Sequence, residues 1–174
     1  LYVVCITAGG ILNALLFQGI RMAYQRYSRG EYGDFFSSLA WTYYFILIGL
    51  LAILLAASWL VMPAYFVVVS GVVAIAGAQG WFELRLEYLR LLDRRIPYAA
   101  MTILRAALLL LVGWLGMTMI SHDAVFVAAG AVSYLVAGLL TGFAGIRIDR
   151  SVVFGAKEGR AAFVGYAVAG SISV

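Results

Sequence analysis

From Phe36 to Val61 the chain carries no charged side chain, and the rest of the sequence is built the same way: long apolar runs separated by short polar breaks. A helix crosses the hydrocarbon core of a bilayer in about 20 residues, and several runs reach that length. Composition closes off the alternative of a soluble fold. Hydrophobic residues make up 65% and charged residues 11% of the 174, against roughly 45–50% and about 25% in soluble domains. A soluble domain of this size has no interior large enough to hide so much apolar surface. A transmembrane β-barrel would show short alternating segments, whereas these runs are continuous. The fold class read from the sequence is therefore all-α, a polytopic bundle of transmembrane helices.

The pattern predicts one transmembrane helical domain over residues 1–174 with about six spans, at about 2–27, 36–61, 64–95, 97–120, 123–146 and 161–174. Pro63 breaks the backbone ladder after the second. Pro97 suits the first turn of the fourth, and Asp123 suits the N-cap of the fifth. The chain opens inside one apolar run at Leu1 and ends inside another at Val174, and it is expected to be an internal piece of a longer protein or a chain lacking its ends. Leu1–Ile20 has neither the basic leader nor the cleavage pattern of a signal peptide.

All 12 basic residues fall on alternate connections. Arg21, Arg26 and Arg29 lie at or after the first helix. Arg85, Arg90, Arg94, Arg95 and Arg105 lie in or near the central elbow, and Arg147, Arg150, Lys157 and Arg160 precede the last helix. The connections around Pro63 and at Ser121-His122-Asp123 have none. This is the positive-inside pattern: the basic loops are expected in the cytoplasm, and the net charge of +4 reflects membrane orientation and no affinity for nucleic acid. Trp41, Tyr43 and Tyr44 near one end of the second helix, and Trp59 near the other, read as rings at the two interfaces.

Polar groups inside spanning helices are the default functional candidates. In the first helix Thr7, Gly10, Ala14, Gln18, Arg21 and Gln25 fall within about 80° of arc at the α-helical period, with Asn13 at the edge. Such a stripe faces a water-filled cavity or another helix. In the fourth helix Tyr98, Met101, Thr102 and Arg105 share a face, and Arg105 lies roughly 12 Å along the axis from Pro97. Snorkelling to the headgroups is the competing account of both arginines. In the elbow Glu83, Glu87, Arg90 and Arg94 form one narrow stripe opposite Phe82, Leu89 and Leu92, which reads as a solvated face; Glu87 and Arg90 stand at pairing distance, and Arg94 and Arg95 would attract anionic lipid. Gly138 and Gly142 form a GxxxG beside Ala129, Ser133 and Ala137, a pattern that lets helices approach closely and that reads as packing within the bundle. Cys5, the one cysteine, reads as a small packing residue.

No catalytic site is legible, and the chain is not expected to be an enzyme. His122 stands alone with Asp123, and no CxxC, HExxH, GxxxxGK[ST] or GxSxG occurs. No acid falls in mid-membrane. Neither a metal nor a cofactor is implied.

The run GILNALLFQGIRMAYQRYSRGEYGDFFSSLAWTYY resembles the second helix, first cytoplasmic loop and third helix of bacterial polysaccharide flippases, members of the exporter superfamily that includes the multidrug and toxic compound extrusion transporters. The elbow, an arginine-bearing amphipathic helix followed by YAAMTILRAALLLLVGWLG, is similar to that family's plan. EGRAAFVGYAVAG resembles the start of its seventh helix, with Gly165-Tyr166-Ala167 where the family usually has Gly-Leu-Pro. The resemblance spans nearly the whole chain, as second to seventh helices. It implies most of the N-terminal lobe of a 12–14 helix flippase in the cytoplasmic membrane of a bacterium, moving an oligosaccharide on a polyprenyl-pyrophosphate carrier for surface polysaccharide biosynthesis. Partners would be that lipid-linked oligosaccharide, membrane lipids and other polysaccharide-assembly proteins. Arg21 and Arg105, with Gln18 and Asn13, would line the cavity and meet the pyrophosphate, since guanidinium forks bind phosphate bidentately. Rival readings are a drug exporter or peptidoglycan-precursor flippase of the same architecture, a membrane-embedded polysaccharide ligase or polymerase, disfavoured by the short outer loops, and a non-transporting subunit.

The alternation of charge makes a direct test of topology. Single cysteines at His122 and Arg94 should react with impermeant reagents from opposite faces of the membrane; labelling of both from outside would overturn the assignment.

Overall fold

A computed structural model describes residues 2–27, 33–119, 124–140 and 157–172. Apart from the short connections after Val61 and after Leu91, all of these residues are helical, and none is in a strand. The chain is an all-α bundle of the membrane-spanning type. Helix α1 covers residues 2–27 in three consecutive pieces: α-helical Tyr2–Asn13, a π-helical turn Ala14–Gln18 and α-helical Gly19–Tyr27. Helix α2 is Gly33–Val61, joined through a 3-10 turn at Pro63–Tyr65 to α3, Phe66–Leu91. Helices α4, α5 and α6 are Arg95–Met119, Ala124–Leu140 and Lys157–Ile172. Among the described residues four stretches are long and apolar enough to cross a membrane: Val3–Tyr27, Phe35–Val61, Pro63–Leu91 and Arg95–Leu115; Val125–Leu139 is apolar but shorter. The six expected helices thus correspond to α1–α6, four of them of spanning length. Arg29, Glu31, His122, Asp123, Gly142, Arg147 and Arg150 lie outside the described residues.

Helix α3 is the hub. It packs against α1, α2, α4 and α5, while α4 also lies along α5, and α6 along the C-terminal half of α1. Its span is the most enclosed of the four, at 44% buried against 11% for those of α2 and α4. The exposed faces of α2 and α4 carry large apolar side chains, among them Ile46, Leu50, Ile53, Leu54, Ile103 and Leu110. Lipid solvates such faces as readily as protein does.

Small residues let the neighbours of α3 come close. A Cβ on Gly80 would press on the Phe17 ring, and one on Gly138 would collide with the Trp81 ring. Ala129, Ser133 and Ala137 of α5 are wholly buried, so this face of α5 is spent on packing inside the bundle, as expected for Gly138 and its neighbours.

The structure adds to the reading of two aromatic residues. Trp41 and Tyr44 are core residues, turned into the bundle and away from its outer surface. Trp41 is fully buried and meets the Trp81 ring edge-on at 5.1 Å. The Tyr44 hydroxyl donates to the Gly77 carbonyl at 2.9 Å, tying α2 to α3. Only Trp59 remains exposed, against Phe66. A second group, Tyr27, Phe36, Tyr43, Phe163 and Tyr166, ties α1 and α2 to α6. Aromatic pairs of this kind add about 0.5–1.5 kcal/mol beyond the area they bury.

The α3–α4 connection is a hydrogen-bonded reversal. Arg94 N–H donates to Leu89 O at 3.0 Å and Asp93 N–H to Arg90 O at 3.1 Å, the bond pair of a Schellman helix end. Asp93 takes the left-handed position at φ 51°, where glycine is usual. Helix α4 then starts at Arg95, which puts Pro97 inside its first turn.

Gly138→Ala should lower thermal stability by about 1–3 kcal/mol through overpacking against Trp81. A melting curve unchanged from wild type would show that the α3–α5 contact is looser than described.

Candidate functional site

The polar stripe of α1 meets α3 at Glu83. The Glu83 carboxylate accepts from Asn13 Nδ2 at 3.0 Å, from Gln79 Nε2 at 2.8 Å and from the guanidinium of Arg21, with which it forms an ion pair. Asn13 is 2% exposed, and the Arg21 and Glu83 side chains are 19% and 22% exposed. The cluster therefore sits between helices, open on one side. Glu83 belongs to the candidate span Pro63–Leu91, where an ionised carboxylate needs close partners. Three donors meet that need.

The π-helical turn explains how Asn13 and Arg21 reach one carboxylate. Eight residues apart on a regular α-helix, the two would point about 80° away from each other. A π-turn bonds i to i+5 and takes up about one extra residue, which sets the second half of α1 back by roughly 100° and brings both side chains to the same side. Such turns are rare and concentrate at functional sites. Here the turn ends at Gln18. Gln18, Arg21, Met22, Gln25 and Glu87 line an open cleft of about 270 Å³.

Of the four residues singled out in the sequence, Asn13, Gln18 and Arg21 are thus brought together. Arg105 is placed on another flank of α3. Its guanidinium lies 4.2 Å from the centre of the Tyr134 ring and 5.9 Å from that of Phe82. Phe82 and Glu83 are neighbours in sequence but point about 100° apart around the helix. Arg105 is a partly buried cation held by aromatic faces, worth about 1–2 kcal/mol where water is scarce.

The elbow stripe divides likewise. Arg90 and Glu87 pair at 2.9 Å, with Arg90 half exposed. Both acids are enclosed, with the Glu83 and Glu87 side chains 22% and 17% exposed: Glu83 turns inward to α1, and Glu87 lines the cleft beside Arg21. Arg85, on the same side of α3 as Phe82 and Leu89, is buried at 1% exposure with its guanidinium 5.5 Å from the Tyr88 ring centre. An arginine on the apolar side of an amphipathic stripe was the available signal for that burial. For Glu83 and Gln79 the signal was their i, i+4 spacing.

Chemically, the arrangement offers one guanidinium at the wall of a polar cleft, held by an exchangeable carboxylate. Among the described residues Arg21 Nε and Asn13 Oδ1 are buried without a hydrogen-bond partner, leaving one donor and one acceptor unused. Among the described residues no group of three or more His, Cys, Asp or Glu side chains is placed to hold a metal. Comparison of the chain with family models, with curated proteins and with solved structures finds no match.

Removing Glu83 strands a partly buried arginine. Glu83→Ala should cost about 2–3 kcal/mol of stability, somewhat less than the roughly 3–5 kcal/mol for breaking a fully buried pair because water reaches one side, whereas Glu83→Gln, which still accepts hydrogen bonds, should cost about half as much. Equal melting temperatures for Glu83→Ala and wild type would mean that the pair does not hold α1 on α3.

Proposed function

We propose that the chain is part of a flippase that carries a polyprenyl-pyrophosphate-linked oligosaccharide across a membrane, with Arg21 as a contact for the pyrophosphate. The observation that carries this reading is Arg21 itself: a cation in a candidate span, facing a polar cleft with Gln18 and Gln25. The sequence resemblance to polysaccharide flippases supplies the cargo class, and the multi-helix membrane architecture supports it.

Electrostatics sets a condition on loading. The pairs Arg21–Glu83 and Arg90–Glu87 leave the cleft close to neutral, so the resting site holds no surplus of positive charge. The Arg21 nitrogen that Glu83 engages is open to a phosphate oxygen once that oxygen takes the place of the carboxylate. The exchange is between like chemistries, one oxyanion for another on the same fork, and a pyrophosphate bridge with two negative charges competes well against a single carboxylate. Asn13 and Gln79, released from Glu83, are then free to donate to the incoming head group. Arg105 stands apart from this exchange and contributes a second cation on the flank of α3 that faces α5. In the complete transporter such flanks are brought to a central cavity by alternating access.

The test is transport of a polyprenyl-pyrophosphate oligosaccharide in proteoliposomes. Arg21→Ala should lower the flipping rate about 10–100-fold, the loss of one charge-assisted contact of about 1.5–3 kcal/mol, and Arg21→Lys should recover part of it. Arg105→Ala should slow flipping less. A correctly inserted Arg21→Ala protein that flips at the wild-type rate would remove Arg21 from the cargo path.

A further inference from the structure

The reversal between α3 and α4 builds a basic cleft that the transport reading does not use. Arg90, Asp93, Arg94, Arg95 and Tyr98 line an open space of about 370 Å³. One candidate span ends at Leu91 and the next begins at Arg95, which puts this cleft at the level of a membrane surface. Three guanidinium groups face one carboxylate. Arg90 is engaged by Glu87 at 2.9 Å and Arg95 by Asp93 at 3.0 Å; among the described residues Arg94 has no ion-pair partner. The positive charge is therefore in excess, and it belongs to a defined geometry. Backbone bonds run through the whole turn, Leu92 to Tyr88, Asp93 to Arg90, Arg94 to Leu89, Arg95 to Asp93 and Tyr98 to Arg94, all between 3.0 and 3.2 Å. The backbone that carries the arginines is fixed by these bonds between the helix ends and is not a loose loop.

Apolar surface lies directly beside the charge. Ile96 is 84% exposed, and Leu92 and Tyr98 are exposed as well. A soluble anion would have no use for these side chains, whereas an amphiphile has both halves of the match: a phosphate for the arginines and a glycerol–acyl shoulder for Ile96 and Leu92. Tyr98 has the amphipathic ring that settles at the headgroup level. We propose that this elbow is a binding site for a phospholipid with a net negative headgroup, its phosphate on Arg94 and Arg95, and that the bound lipid pins the α3–α4 turn to the membrane surface. The site is independent of what the chain transports.

Native mass spectrometry of the intact protein in detergent, titrated with phosphatidylglycerol or phosphatidylcholine, tests it. The first phosphatidylglycerol should be retained at markedly lower concentration than phosphatidylcholine. Each arginine near an anionic surface contributes about a fivefold factor, so R94Q/R95Q should weaken that first adduct about 25-fold, while R94K/R95K keeps most of it and R26Q, which removes a charge on α1, leaves it unchanged. Matching melting temperatures establish that the variants are folded. Equal retention of the two lipids by wild type overturns the site, as does a phosphatidylglycerol preference that survives R94Q/R95Q. A loss in R26Q as large as in R94Q/R95Q would mean diffuse attraction to the whole chain, and the site assignment would fail.

Discussion

Glu83 accepts hydrogen bonds from two helices, from Asn13 and Arg21 on α1 and from Gln79 on its own helix α3. In an apolar surrounding a carboxylate must be matched or neutralised, and here the matching fixes how the two helices lie. Around that point the packing is close and mostly non-polar. Gly80 sits against Phe17 below the carboxylate, and Trp81 fills the notch at Gly138 on the other side. One polar contact thus sets orientation while small residues and rings supply contact area. Van der Waals packing and interhelical hydrogen bonds are the forces available to helices in lipid.

The helices themselves were legible in the sequence, because unbroken apolarity, Pro63 and the arginine-rich elbow mark their limits by simple physics. The α-helical period was the less reliable guide. It placed Asn13 at the edge of the α1 stripe, since a period of 100° holds only while the bonding stays i to i+4; nothing in Ala14–Gln18 announces a wider turn. It also set Glu83 among solvated charges, because periodicity states which residues share a face and not what that face meets. Arg85 and Trp41 show the same limit. Both residue types are common at a membrane surface, and although Arg85 lies on the apolar side of the elbow stripe, the neighbouring helices complete the enclosure of both. Of the candidate site, the identity of Arg21, Gln18 and Asn13 was readable, while their meeting with Glu83 depended on tertiary packing.

Arg21 and Arg105 are held by different chemistry. Arg21 has a carboxylate partner that another oxyanion can replace. Arg105 rests on the faces of Tyr134 and Phe82, an attraction that does not block its hydrogen-bonding edge. A guanidinium stacked in this way keeps its donors for something else, whereas a paired one must first be released. The α1–α3 contact is thus an ion pair, and the cation on α4 is held by ring faces.

The π-helical turn in α1 has a mechanical consequence. Its five residues hold the segment Gly19–Tyr27 at a set rotation relative to Tyr2–Asn13. Drawing that turn back to ordinary i to i+4 bonding spins the far segment by roughly 100° about its own axis, with no hinge and no tilt. Arg21 would swing off Glu83, and Tyr24 and Tyr27 would turn against α2 and α6 in the same stroke. The rotation that this turn sets is the one in which Arg21 meets the carboxylate on α3.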